Sequence, residues 1–259
     1  MGVKKISVDI NKSKRVVLII QARMGSTRLP GKSMMDLAGA PLVGRILERV
    51  KRCTKVDEII LAIPDSKENQ LLKKLADDYN VKCYMGSEDD LVDRYYQAAT
   101  ASKADFVVRL PADNTTPEPV EIDKIIDYHL TLGRPGFSSN LAQIYNSGYP
   151  DGIGAEIFDY SLLRIVQETV TDSFSREHVH LNFFNYETNK AVNSDWCPVN
   201  TIKCPIEFSR PDLILDVNTM EQYLFMKSLY ENLYPINSQF NIIEIIDWYD
   251  NCYKNDKND

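Results

Sequence analysis

The chain has 259 residues, 44% hydrophobic and 26% charged, enough to bury the core of a soluble globular protein as one α/β domain or two small ones. A net charge of −7 argues against coating nucleic acid or adhering to anionic membranes, and no window approaches the roughly 18 uninterrupted apolar residues of a membrane span. Five cysteines without a C-x-x-C pair predict free thiols rather than a disulfide framework or zinc site, and Met1–Arg15 lacks the apolar core of a secretory signal, so a cytoplasmic location is expected.

Residues 1–15 read as a flexible N-terminal arm. Val16-Val17-Leu18-Ile19-Ile20, with four β-branched residues in five, predicts the buried first strand of a parallel sheet. It breaks into Gln21-Ala22-Arg23-Met24-Gly25-Ser26-Thr27-Arg28-Leu29-Pro30-Gly31-Lys32, a loop with two glycines, two arginines, a lysine and two hydroxyls. Glycines let backbone approach a ligand closely, and Arg and Lys donate charge-assisted hydrogen bonds to phosphate oxygens. A cationic, glycine-bearing loop at the carboxyl end of a first strand is where open α/β sheets bind nucleotides. Gly31-Lys32-Ser33 imitates the tail of a P-loop, but five residues separate Gly25 from Gly31, one too many, and Pro30 removes an N–H from the phosphate cradle.

Leu42, Ile46, Leu47 and Val50 recur at helical spacing after Pro41. Glu58–Ile63 reads as a second buried strand, followed by a helix capped by Ser66 with Leu71, Leu72 and Leu75 inward. Val81–Tyr84 is a short strand, Leu91–Ala101 a helix, Asp105–Leu110 a strand and Ile122–Leu132 a helix. This alternation predicts a doubly wound sheet with right-handed crossovers. The second half is less regular: a strand begins at Ala155–Phe158, a helix covers Leu162–Thr169, and 191–208 is extended. Leu213–Val217 is strand-like, Thr219 caps a helix over Met220–Leu233, and a last helix runs from Asn241 to Tyr249. No linker divides the chain, so a single domain over 16–250 with an insertion at about 137–207 and a frayed tail at 251–259 is expected.

Two aspartates follow apolar runs: Asp113 after Val107-Val108-Arg109-Leu110, and Asp216 after Leu213-Ile214-Leu215. Mg²⁺ prefers hard oxygens and sits between one or two carboxylates and substrate phosphates, although aspartates also end strands as turn residues. Ser87 reads as a helix cap, with Glu88 to Asp90 complementing the dipole and pointing away from phosphates. The glycines of Tyr149-Pro150-Asp151-Gly152-Ile153-Gly154-Ala155-Glu156 suit a loop closing over a ligand, or an ordinary turn into an edge strand. His178 and His180 would share one face of a strand, without a third metal ligand nearby.

The 21–32 loop resembles the signature loop of the CMP-sugar synthetase-like cytidylyltransferases, nearest the spore-coat and acylneuraminate branch, and the landmarks above follow in that family's order over roughly residues 16–235. The resemblance implies a three-layer α/β, mostly parallel (mixed) sheet of the Rossmann-like nucleotidyltransferase type with a dimerisation insertion. It implies transfer of CMP from CTP to a sugar, sugar acid or related small acceptor with release of pyrophosphate and with Mg²⁺, or alternatively Mn²⁺, for surface polysaccharide or glycoconjugate precursors. A nucleotide-sugar-dependent glycosyltransferase, which shares this fold class, and a non-catalytic nucleotide-binding assembly protein are the alternatives. Gln21, Ala22, Arg23, Gly25, Ser26, Arg28, Lys32, Ser87, Arg94 and Asp113 would bind the nucleotide, and Asp113 and Asp216 the metal. Arg23, Arg28 and Lys32, with the two aspartates, would carry catalysis, and Tyr149, Asp151, Glu156, Arg176, Glu177 and His178 would meet the acceptor. Ala112, Asn114 and Thr115 depart from the family's usual pattern around its metal aspartate, which leaves the acceptor contacts there open. Phe174, Val179, Leu181, Phe183, Phe184, Tyr186 and Trp196 are more apolar surface than a protruding insertion leaves in water, so a homodimer burying them is expected, with packing on the chain's own sheet as the competing arrangement.

Overall fold

A computed structural model describes residues 14–254. One seven-stranded sheet draws on both halves of the chain. Its strands are β1 (Val16–Gln21), β2 (Glu58–Pro64), β3 (Lys82–Gly86), β4 (Phe106–Pro111), β5 (Phe137–Ser139), β6 (Glu156–Asp159) and β7 (Val199–Asn200). Their order is β7-β5-β6-β4-β1-β2-β3, with β6 antiparallel to both its neighbours and every other pairing parallel. The helices are α1 (Leu42–Val50), α2 (Gln70–Asp78), α3 (Leu91–Ala101), α4 (Pro119–Thr131), α5 (Tyr160–Thr169), α6 (Ser173–Glu177), α7 (Met220–Leu233) and α8 (Ile242–Trp248).

Alternation along β1 explains its unbroken apolar sequence. Val16, Leu18 and Ile20 face a core built with α1, α2, α4, α7 and α8, while Val17 and Ile19 face a second core built with α3 and α5. Both faces are covered, so neither side tolerates a polar residue. The chain leaves β1 for β2 on one side and returns to β4 on the other, and the carboxyl ends of β1 and β4 flank that reversal. Ligands of open α/β sheets lodge at such switch points.

Several local expectations change. Asn69, not Ser66, precedes α2; its side chain donates to Ser66 Oγ at 2.7 Å and accepts from the Met24 N–H at 2.9 Å, bracing the 21–32 loop. The helix turns Leu72 and Leu75 inward, but Leu71 outward at 54% exposure. Leu213–Val217 joins no strand of the main sheet and is held by single bridges, Asn114 to Asp216 and Asp151 to Ile214. The expected tail does not fray at 251, because Tyr249–Tyr253 continues α8 as a π-turn with Tyr253 packed on Phe225 and Trp248. Arg15 is anchored to Asp105 and Glu58, whereas the rest of the expected arm up to 13, and 255–259, lie outside the described residues. No helix among the described residues is long and apolar enough to cross a membrane.

The 137–207 segment does not stand off the sheet. It contributes β5, β6 and β7, and Val179, Phe183 and Phe184 are fully buried in the second core. Phe183 packs against Phe137, Phe158 and Trp196 with ring centroids 5.5, 5.1 and 5.9 Å away. Most of the apolar surface expected to drive a dimer is therefore spent on the chain's own sheet, and Phe174 alone of that set is largely exposed, at 63%.

Candidate functional site

An open cleft of about 470 Å³ lies over the carboxyl ends of β1 and β4. On one wall runs the 21–32 loop. Gly31 takes a left-handed conformation, φ 73°, and turns the chain into a short 3₁₀ helix, Lys32–Met34. Ser33 Oγ donates to the Arg23 carbonyl at 2.9 Å, closing the loop on itself. The opposite wall comes from the late segment: Arg28 Nη2 donates to Asn218 Oδ1 at 2.9 Å, and Lys32 Nζ to the Val217 carbonyl at 2.6 Å. The Val217 N–H donates to the Asp113 carbonyl at 2.9 Å, which sets Asp216 beside the end of β4.

Lys32 lies 3.9 Å from Asp113. Burial lowers its ammonium pKa and Arg28 and Arg23 push the same way, while Asp113 and Asp216 oppose. Asp216 is raised from 3.8 to about 6 by burial, then by the charges of Asp151 and Asp113. Asp113 Oδ1 is buried without a hydrogen-bond partner. A carboxylate oxygen without a donor thus lies beside a carboxyl that burial and neighbouring charge destabilise as an anion.

At the far end, Arg109 Nη1 donates to Glu156 Oε2 at 2.6 Å, and Tyr186 Oη donates to Glu156 Oε1. The ion pair is almost dry, with side-chain exposures of 7% and 1%. Glu156→Leu would strand the Arg109 charge and lower stability by about 3–5 kcal/mol, while the double change Arg109→Met, Glu156→Leu recovers most of it. Chemical denaturation checks this: a loss below about 1 kcal/mol for the single change would mean that water reaches the pair. His180 and Tyr186 complete this end with ring centroids 5.3 Å apart. Burial, with Arg109 and His178 adding to it, lowers the His180 pKa to about 2, so the ring is neutral.

Of the residues expected at the site, Gln21, Ala22, Arg23, Ser26, Arg28, Lys32, Arg94, Asp113, Glu156, Glu177, His178 and Asp216 line this one cleft. Arg94 is 4% exposed, donates from Nη1 to the Ser87 carbonyl at 2.9 Å and keeps a buried Nε without a partner. Burial lowers its pKa to about 10, so it stays charged at neutral pH. Gly25 does not line the cleft; a Cβ added there would lie 3.5 Å from Glu88 Oε1. Glu88 was expected to point away but lines the cleft.

Besides Gly25, four expected residues are not brought to the cleft. Ser87 is not the helix cap expected: its Oγ accepts from the Asp90 N–H at 3.1 Å in the preceding turn, and Asp90 caps α3 by accepting from the Asp93 N–H at 2.8 Å. Tyr149 is fully buried and donates to Glu121 Oε2 at 2.7 Å, on the core side of the sheet. Arg176 staples α6 to the start of α3, with Nε 2.7 Å from Asp90 Oδ2 and further bonds to Gln167 and Val170. Asp151 lies behind Asp216, paired in a bridge with Ile214. Arg109, His180, Tyr186 and Asn218 line the cleft without having been expected there. Arg109 carried a signal, a charge inside an otherwise apolar strand run. Asn218 and Tyr186 carried none, because only the tertiary crossing of distant loops brings them in.

The cytidylyltransferase family profile matches residues 17–237. The chain is 29% identical over 222 residues to the spore coat polysaccharide biosynthesis protein SpsF of Bacillus subtilis, covering 83% of this chain and 86% of that one. Over 115 residues it is 34% identical to 3-deoxy-manno-octulosonate cytidylyltransferase of Anaeromyxobacter, covering 44% of this chain and 46% of that one. A cytidylyltransferase structure from Leptospira borgpetersenii superposes with a TM-score of 0.82 at 26% identity, covering 95% and 96% of the two chains.

Proposed function

Because the chain belongs to the cytidylyltransferase family and is a CTP-dependent nucleotidyltransferase, we propose that this cleft transfers CMP from CTP to a sugar, sugar acid or related small acceptor and releases pyrophosphate. The observation that carries the proposal is the meeting of Arg23, Arg28 and Lys32 with Asp113 and Asp216 in one cleft at the switch point of the sheet. Phosphoryl and nucleotidyl transfer demand positioning and charge neutralisation more than covalent help from side chains. An acceptor oxygen attacks the α-phosphorus in line, and the bond to the bridging oxygen of the pyrophosphate breaks. Arg23, Arg28 and Lys32 hold the triphosphate and take up the charge that develops on the leaving group. Loop geometry holds these cations in place before substrate arrives, since the Arg28 and Lys32 tips are already bonded to the 217–218 segment.

The donor set fits a hard divalent cation, Mg²⁺ or alternatively Mn²⁺: two carboxylates from distant segments, one with an orphan oxygen, next to a phosphate site. Asp113 and Asp216 would hold it. Bound there, it would supply further neutralisation of the phosphate oxygens. Among the described residues no three His, Cys, Asp or Glu groups cluster closely enough to hold an ion by themselves, so substrate oxygens would have to complete its shell.

The acceptor would occupy the end bounded by Glu156, Glu177 and His178, with Arg109, His180 and Tyr186 behind them. Both Glu156 oxygens are engaged, so it orients neighbours and is not free to serve as a base. Use in surface polysaccharide or glycoconjugate precursor synthesis is supported by the relation to the spore coat protein. The homodimer belongs to the same reading but rests on the family and not on bare apolar surface; sedimentation velocity at micromolar protein would find two chains per particle, and one chain with full activity would remove it. Incubation with CTP, Mg²⁺ and a panel of sugars, sugar acids and sugar phosphates tests the reaction itself. Acceptor-dependent pyrophosphate release with CTP ahead of UTP and ATP is expected. Consumption of a preformed nucleotide-sugar in place of CTP would contradict it.

A further inference from the structure

The family resemblance puts Gln21 among the nucleotide contacts, yet the fold turns its side chain toward the other end of the cleft. Gln21 is the last residue of β1 and lines the cleft. Val17 and Ile19 face the second core, so alternation along the strand sets the Gln21 side chain over that core as well. Strand pairing fixes its neighbours: Ile19 lies opposite Arg109 on β4, Arg109 opposite Glu156 on β6, and Gln21 opposite Pro111. Gln21 therefore stands two residues, about 7 Å, beyond the Arg109–Glu156 row and one strand over, beside a proline whose side chain can neither donate nor accept. The Arg28 and Lys32 tips, by contrast, bond to the 217–218 segment, and Leu215 and Val217 belong to the first core.

The amide is also fixed. Tyr95 of α3 is fully buried, and its Oη donates to Gln21 Oε1 at 3.0 Å while lying 3.3 Å from the Ile19 carbonyl. Burial raises the Tyr95 pKa, so the hydroxyl keeps its proton, and the charges of Arg109 and Glu156 are close enough to act on it. With Oε1 engaged, the group left to Gln21 is its Nε2 amide, a donor that makes no hydrogen bond among the described residues.

We infer that Gln21 is an acceptor-binding residue whose Nε2 donates to an oxygen of the acceptor sugar at the Arg109–Glu156 end, and that Tyr95 is the positioning residue that aims it. The inference rests on the transfer reaction proposed above. Arg109 and Tyr186 already close both Glu156 oxygens, so the charged pair has little left for a ligand at this end. Gln21 adds a neutral donor there, which suits the lone pairs of a sugar hydroxyl or carboxylate and needs no counter-charge.

The test is steady-state pyrophosphate release with the panel acceptor that wild-type protein uses fastest, beside calorimetric titration of CTP in EDTA without acceptor. Gln21→Met keeps the length of the side chain and removes the donor. It should lower kcat/KM for the acceptor roughly five- to twentyfold, the worth of one hydrogen bond, mostly through KM. CTP affinity should stay within about twofold of wild type, since no nucleotide contact is lost. Gln21→Glu still accepts from Tyr95 but offers no amide proton, and should lose at least as much acceptor kcat/KM. Tyr95→Phe should lower the same quantity about two- to fivefold in the wild-type background and not at all on top of Gln21→Met, because the hydroxyl acts only through the amide. Equal losses in both backgrounds would make Tyr95 merely structural and overturn its part. CTP affinity that falls with Gln21→Met while the acceptor KM stays put would return Gln21 to the nucleotide and overturn the inference, as would a variant that matches wild type in both assays. Wild-type protein that binds CTP but releases no pyrophosphate with any acceptor would instead remove the transfer reading, and the inference with it. If the Met variant does not fold, Gln21→Ala carries the same expectations.

Discussion

Lys32→Ala should lower the turnover number about 100- to 1,000-fold while leaving the fold intact. Removing one preorganised donor to developing oxyanion charge costs that much where it has been measured. Lys32 is held by the Val217 carbonyl and lies 3.9 Å from Asp113, in the cleft wall proposed to hold the triphosphate. Burial already lowers its pKa, so the folded protein gains little from keeping it charged, and thermal unfolding should move by only a few degrees. Steady-state kinetics with saturating CTP decides the matter. A turnover number unchanged by the substitution would remove Lys32 from leaving-group stabilisation.

Asp216→Asn should abolish metal-dependent turnover, by at least about 100-fold, and should stabilise the metal-free protein at neutral pH. The second effect follows from the sign of its pKa shift. Burial and the neighbouring Asp151 and Asp113 raise this carboxyl from 3.8 to about 6. A carboxyl raised on folding carries no penalty below its unfolded value, and the penalty grows as pH rises through the folded value. The substitution therefore changes stability little near pH 3 and raises it near pH 7, by about 1 kcal/mol once screening of this part-exposed group is allowed for. Thermal melts in EDTA at the two pH values measure the difference. Equal melting temperatures for wild type and variant at pH 7, or a lower one for the variant, would show that Asp216 is a structural residue and not a carboxylate kept ready for a cation.

The first half of the fold was legible because each element carried its own period. The helix over Leu91–Ala101 has the bounds that its spacing predicts, and Thr219 caps α7 with a reciprocal bond to Gln222. Unbroken apolar strands such as β1 are readable when both faces are buried, since no competing pattern dilutes them. The 137–207 segment was harder. Its three short strands enter the sheet by pairing with residues far away in sequence, and no local period announces a strand of two or three residues. Aromatics such as Phe183 look the same in sequence whether they cover a dimer interface or the chain's own β5 and β6.

The two ends of the site differ in the same way. The 21–32 loop is contiguous, so its cations, glycines and hydroxyls could be read together, and Arg23, Ser26, Arg28 and Lys32 do share one wall. The acceptor end is assembled from β4, β6 and the 177–186 stretch, and its polar residues are sorted by tertiary contacts. Arg176 and His178 are two residues apart, yet one is consumed by Asp90 and Gln167 while the other faces the cleft. Tyr149 and Glu156 part in the same way, one to the core beside Glu121 and the other to Arg109.

The most direct test of the central claim is a crystal structure of the protein with Mn²⁺ and a non-hydrolysable CTP analogue, with the metal located by its anomalous signal. A single strong peak is expected between the Asp113 and Asp216 carboxylates, with the triphosphate against Arg23, Arg28 and Lys32. A nucleotide bound elsewhere, or a metal peak ligated by neither aspartate, would contradict it.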